Sequence, residues 1–282
     1  ARIRETYANV ACFVAPRVSG WDEFRASRNT AQGDWTTLVV RERLAIFIPS
    51  DGAPQEVRDC LHEELAQALG PLNDLYRLTD SVFNDDNFHT TLTGFDMLML
   101  RATYAPELRA GMAPDEVAAR LPAILARIHP AGAGGGRGVA GPTPRLWINE
   151  IELALGQGRG LPQREAAARS ALAQARAAGW RDGRLGLSLF ALGRLTLSSD
   201  PETALVSLAE ARRLYLSLPG GQAQAAHVEM QLAAYALSTG DHARTLALVD
   251  VAMPVAQAAE NAALAATLML MKAEALQAEG RA

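Results

Sequence analysis

Residues 129–144, His-Pro-Ala-Gly-Ala-Gly-Gly-Gly-Arg-Gly-Val-Ala-Gly-Pro-Thr-Pro, are the stretch that most limits what this chain can fold into. A run this rich in glycine and proline continues neither a helix nor a sheet, so it reads as a linker. It divides the 282 residues into a part at 1–128 and a part at 145–282, each long enough to bury its own core. Gly136, Gly138 and Gly141 satisfy G-x-G-x-x-G within it. A dinucleotide-binding loop needs a strand before that motif and a helix directly after it. Here a helical pattern precedes and prolines follow, so the nucleotide reading fails.

Beyond the linker the sequence reads as helix throughout. Ala, Leu, Arg, Glu and Gln dominate, and breaks recur at 156–160, Gly179, 198–201, 220–221 and 240–241. Before alternate breaks stand Leu153-Ala-Leu155, Leu195-Thr-Leu197, Tyr235-Ala-Leu237 and Glu274-Ala-Leu276. Aligning their final leucines gives a repeat of about 40 residues, the mark of stacked helical hairpins. In period and small-residue pattern this part resembles the longer-repeat variants of the tetratricopeptide (TPR) superfamily. A plain antiparallel bundle is the competing architecture. Either one implies a surface for holding an envelope protein or a peptide more than one for chemistry. By this register the array stops after the first helix of a hairpin.

The first part mixes strands and helices. Residues 7–15, 36–40 and 44–48 carry the β-branched and aromatic types of strands. A short helix is expected in the polar stretch between the first two. Pro49-Ser50-Asp51-Gly52 is a turn cluster, and Pro54 suits the first position of a helix running to Leu69. Within it Val57, Leu61, Leu65 and Leu69 form an apolar stripe, with Glu63, Glu64 and Gln67 away from it. Gly70 and Pro71 end the helix. Residues 80–87 hold five Asp and Asn side chains but lack the glycine and distal glutamate of a calcium loop, so they read as a turn. Thr93 caps a helix through Tyr104, and another runs from Asp115 to Ile128.

Composition removes several functions. Net charge is −4, and Lys272 is the only lysine, so neither a phosphate-binding Gly-Lys-Ser/Thr loop nor a nucleic-acid footprint is present. No apolar run reaches the ~20 residues of a membrane span. Cys12 and Cys60 are either two buried thiols or a disulfide. A bond would close a loop of about fifty residues and stabilise by about 4 kcal/mol. Both lie beside the candidate site, which favours the bond and a periplasmic or secreted location. The start at Ala1 reads as a processed or trimmed end.

Glu63-Glu64-Leu-Ala-Gln67-Ala-Leu-Gly70-Pro-Leu-Asn73-Asp74 aligns with H-E-x-x-H-x-x-G-x-x-H-S, the zinc motif of metzincin proteases and of matrixins in particular. Ser81-Val82-Phe83-Asn84 stands where those enzymes carry the Met-turn, and residues 92–104 look like their final helix. The block also resembles, more closely, an uncharacterised family of exported bacterial proteins built on H-E-E-x-x-Q-x-L-G-x-x-N-D followed by S-[IV]-F-N-D. That likeness covers about residues 5–115 and carries no activity. The metzincin resemblance implies Glu64 as general base and Glu63, Gln67 and Asn73 at the ligand positions. Zinc wants imidazole, thiolate or carboxylate donors, so these positions read as vestigial and no metal or other cofactor is expected.

Three readings stay open: a metal-less protease fold with these side chains in a hydrogen-bond network; a hydrolase holding a hard cation through Glu63, Asn73 and Asp74 or Asp80, with His62 or His89 assisting; and an unrelated α+β domain. The expectation is an α+β, metzincin-like domain joined to an all-α array of helical hairpins. Its expected role is non-catalytic scaffolding in the cell envelope. The alternative is a metal-dependent peptidase using Glu64.

Overall fold

The computed structural model describes Ile3 and residues 12–132, 141–156 and 158–281. The chain forms two compact units. One comprises residues 1–74, 81–83 and 91–139, the other residues 75–80, 84–90 and 140–282.

In the first unit, β1 (Phe13–Pro16) pairs antiparallel with β2 (Leu44–Phe47), Phe13 facing Phe47 and Pro16 facing Leu44. A two-stranded ribbon of this length is not stable in water unaided. Helix α1 (Trp21–Ser27) supplies Trp21 and Phe24, whose rings lie 5.6 and 5.3 Å from that of Phe47, while Phe13 and Phe47 stack at 5.0 Å. Four aromatic side chains thus make the small sheet's local core.

Helix α2 (Pro54–Leu69) packs against both strands. Pro54 opens it, and the Ala53 N–H donates to Glu56 Oε2 at 2.7 Å, satisfying one of the donors a helix start leaves open. At the other end the Gly70 N–H donates to Ala66 O. A Cβ on Gly70 would lie 2.6 Å from Leu100 Cδ2, so a larger residue there would make the Leu100 side chain shift. Arg41 reaches three carbonyls at this end, those of Gln67, Ala68 and Gly70, at 3.3, 2.7 and 2.8 Å. It places a cation where the helix dipole is negative and satisfies acceptors the helix leaves unpaired. Helices α3 (Gly94–Thr103) and α4 (Pro114–Ile128) complete the unit.

Two expectations change here. The strand expected at 36–40 is a 3-10 turn at Trp35–Thr37 followed by irregular chain, with Val39 and Val40 exposed. Asp34 causes this: its carboxylate accepts both the N–H and the hydroxyl of Thr36, which winds the chain into a turn. The apolar stripe of α2 is also turned outward, with Leu61, Leu65 and Leu69 exposed by 47, 52 and 44%. Of the strand expected at 7–15, residues 7–11 lie outside the described residues.

The second unit is all helical: α5 (Arg145–Leu155), α6 (Leu161–Ala177), α7 (Gly183–Thr196), α8 (Pro201–Ser217), α9 (Gln222–Ser238), α10 (His242–Ala258) and α11 (Ala262–Ala278). Each packs on the next across a short break, as in stacked hairpins. First helices begin at Arg145, Gly183, Gln222 and Ala262, giving the repeat of about 40 residues. Of the glycine motif at 136, 138 and 141, the first two positions lie outside the described residues. Gly141 and Thr143 are held by Arg184, which is buried, paired with Asp182 at 2.7 Å, and lies 3.9 Å over the Trp180 ring. No described helix is long and apolar enough to cross a membrane.

Cys12 and Cys60 are bonded, with Cα atoms 5.9 Å apart across 48 positions of chain. Replacing both by serine should lower stability by about 4 kcal/mol in chemical unfolding, and peptide mapping without reductant should recover them linked. An unchanged midpoint would show that the bond restrains nothing that unfolding releases.

Candidate functional site

Cys60, Glu64 and Gln67 recur at intervals of four and three, so they share one face of α2, and that face is the buried one. The disulfide fixes Cys60 to the residue preceding β1. One turn further on, the Glu64 carboxylate accepts the backbone N–H of Val14 in β1. Both contacts set the rotation of the helix about its axis, and the leucine stripe faces out as a consequence.

Glu64 is only 4% exposed, and its Oε2 has no hydrogen-bond partner among the described residues. Burial pushes its pKa up to about 7, the charge of Asp74 pushes the same way, and the Val14 N–H opposes them. Gln67 donates from Nε2 to Asp74 Oδ1 at 2.7 Å. The structure therefore gathers Glu64, Gln67 and Asp74 around the end of α2. Glu63 is half-buried beside them and Asn73 is exposed. His62 is half-buried on the same helix, whereas Asp80 and His89 count with the second unit. Among the described residues no group of three or more His, Cys, Asp or Glu side chains is disposed to hold a metal ion.

The tetrad Ser81-Val82-Phe83-Asn84 is fully buried. Its first three residues are organised by Asp96. Ser81 Oγ donates to Asp96 Oδ1 at 2.5 Å, the Val82 and Thr93 N–H groups donate to Oδ2 at 3.0 and 2.8 Å, and the Phe83 N–H donates to Ser81 Oγ. One carboxylate thus caps α3 and ties a distant turn to it. Thr93-x-x-Asp96 is a helix-start pattern, so the cap was legible. The tie to Ser81 was not, because nothing local in the sequence couples positions fifteen apart.

Residues 75–80 and 84–90 belong to the helical unit and are seated in its core. Tyr76 meets the Trp147 ring at 5.2 Å, and Phe88 meets Phe190, Tyr215 and His227 at 5.2, 6.1 and 5.0 Å. Gln224 donates to Thr79 O at 2.7 Å, His89 Nε2 lies 3.0 Å from the same carbonyl, and Thr90 donates to Ala259 O. Asn84 donates from Nδ2 to Asp86 Oδ2 at 2.8 Å. Burial of its carboxyl raises Asp86 to about 7 against a hydrogen bond from the Phe88 N–H. Burial also holds His227 neutral, near 4. Two aromatics within a polar loop were the sequence signal for this seating.

The raised carboxyls fix a pH dependence. A folded-state pKa above the unfolded value means that the folded chain binds more protons between the two. Stability from such a group is therefore lost as pH rises from about 4.5 to 7. Glu64→Gln keeps an acceptor for the Val14 N–H and removes the ionisation. It should raise the free energy of unfolding at pH 8 by on the order of 1–3 kcal/mol, and change it little at pH 5. His227 and Asp86 titrate alike in both proteins and cancel in the comparison. Equal midpoints at pH 8 would show that the carboxyl carries no burial penalty.

Residues 1–123 match the model of a family described as a protein of unknown function, DUF2927. No curated protein and no solved structure matches the chain.

Proposed function

We propose that the protein is a non-catalytic binding protein of the periplasm or cell exterior. In this reading a metzincin-like domain without its metal is joined to a TPR-like array that holds another envelope protein or a peptide. The observation that carries it is the seating of residues 75–80 and 84–90 among the first helices of successive hairpins. Trp147 on α5, Phe190 on α7 and His227 on α9 all receive side chains of this turn-rich segment. A face that takes a length of non-helical chain through aromatic anchors is suited to peptide recognition. Glu64 supports the same reading, since the carboxylate at the general-base position is sequestered and spent on the Val14 N–H. The Cys12–Cys60 bond fits an oxidising compartment.

A second reading rests on a specific property of the same carboxyl. A pKa near 7 is what a general base at neutral pH requires, and it suits a hydrolase using Glu64 with a cation at Glu63, Gln67 and Asn73. Two measurements separate the readings. Elemental analysis of the full chain purified from an oxidising compartment should find no stoichiometric transition metal, and affinity capture from envelope extract should recover a partner equally well with Glu64→Gln. One metal per chain, lost in an Asn73→Ala variant, together with hydrolysis abolished by Glu64→Gln, would replace the binding role with the enzymatic one.

A further inference from the structure

We propose that residues 75–80 and 84–90 form a tethered ligand of the helical array. They occupy in cis a face running along successive hairpins, and a trans peptide with an Asp-Asp-x-Phe element binds there only when they are displaced. The inference rests on the binding reading above and names the recognised chemistry and the regulation of that same face.

The segment touches the array along three hairpins in succession. Tyr76 lies against Trp147 of α5. Thr79 packs at the start of α7, where a Cβ on Gly183 would come within 2.8 Å of its hydroxyl. Its carbonyl accepts from Gln224 of α9. Asp80 fits against Gly220, which has φ +71°, and a Cβ there would lie 2.3 Å from the aspartate side chain. Phe88 enters between Phe190, Tyr215 and His227, and Thr90 reaches the Ala259 carbonyl beyond α10. The contacts run along successive hairpins and take in second-helix positions too, Tyr215 on α8 and Ala259 after α10.

The seat is also imperfect, which is what a displaceable ligand needs. Tyr76 and Phe88 are 6 and 5% exposed and supply the apolar burial. Between them the polar groups are poorly matched. Asn84 Oδ1, Gln224 Oε1 and the Tyr215 hydroxyl are buried with no hydrogen-bond partner among the described residues. The half-buried Asp86 carboxylate lies near another carboxylate, Asp85. Each mismatch subtracts from what the two aromatics gain. The segment holds its place largely because it is tethered, at an effective concentration on the order of millimolar. Loss of one anchor should therefore open the face to a competitor in solution.

The test uses the full chain and a fluorescein-labelled synthetic peptide of residues 75–90, read by anisotropy. Phe88→Ala in the protein should bind the peptide at least tenfold more tightly than the unaltered protein does. A peptide with alanine at the position of Phe88 should bind neither. Circular dichroism establishes that the variant keeps its helices. Where Phe88→Ala does not fold, Phe88→Leu retains most of the side-chain volume and should give the same ordering with at least a threefold difference. Asp86→Asn removes the charge and keeps the hydrogen-bonding shape, so it should hold the segment more firmly and reduce peptide binding in the Phe88→Leu background. A folded Phe88 variant that binds the peptide no better than the unaltered chain would overturn the inference. Failure to capture any envelope partner would sink the binding role and leave this result standing.

Discussion

The burial of Tyr76 and Phe88 among the rings of Trp147, Phe190, Tyr215 and His227 is the interaction on which the helical unit's inner organisation depends. Large aromatic side chains contribute most of the apolar area at such a contact, and edge-to-face packing adds specificity to it. Around them the array is built from small residues. Ala167, Ala168, Ala171 and Ala175 bring α6 close to its neighbours, which leaves the rings to fill the remaining volume. Polar groups of the segment are carried into this apolar setting by the two anchors, and the raised pKa of Asp86 is the consequence.

The first unit solves a different problem with one helix. A four-residue strand pair has little cohesion, so α2 is fastened to it twice, covalently at Cys60 and by hydrogen bond at Glu64. Arg41 fastens the far end by taking three carbonyls. These attachments outweigh the hydrophobic pattern. Leu61, Leu65 and Leu69 lose burial so that the cysteine, glutamate and glutamine can face inward.

Local signals in the sequence were reliable where they act locally. Pro54, Gly70 and Thr93 mark helix ends because capping involves neighbours in the chain. The leucine-bounded period located every first helix of the array, since stacked hairpins repeat their packing. Two kinds of information were out of reach. Val39 and Val40 have strand propensity, but a strand needs a partner, and the Asp34 turn removes the geometry for one. The facing of α2 depends on contacts with residues near 12–14, and periodicity alone reports only that one face is apolar. Asp96 and the seating of Phe88 are likewise long-range, and only the unusual placing of aromatics in an Asp- and Asn-rich loop hinted at the latter.

The most direct measurement is site-specific photo-crosslinking from position 88. p-Azidophenylalanine placed there and irradiated in the full chain should give adducts on the peptides containing Phe190, Tyr215 or His227, the three rings that line the Phe88 seat. Adducts confined to neighbouring residues of the same loop, or to solvent, would contradict the claim that the array holds its own chain.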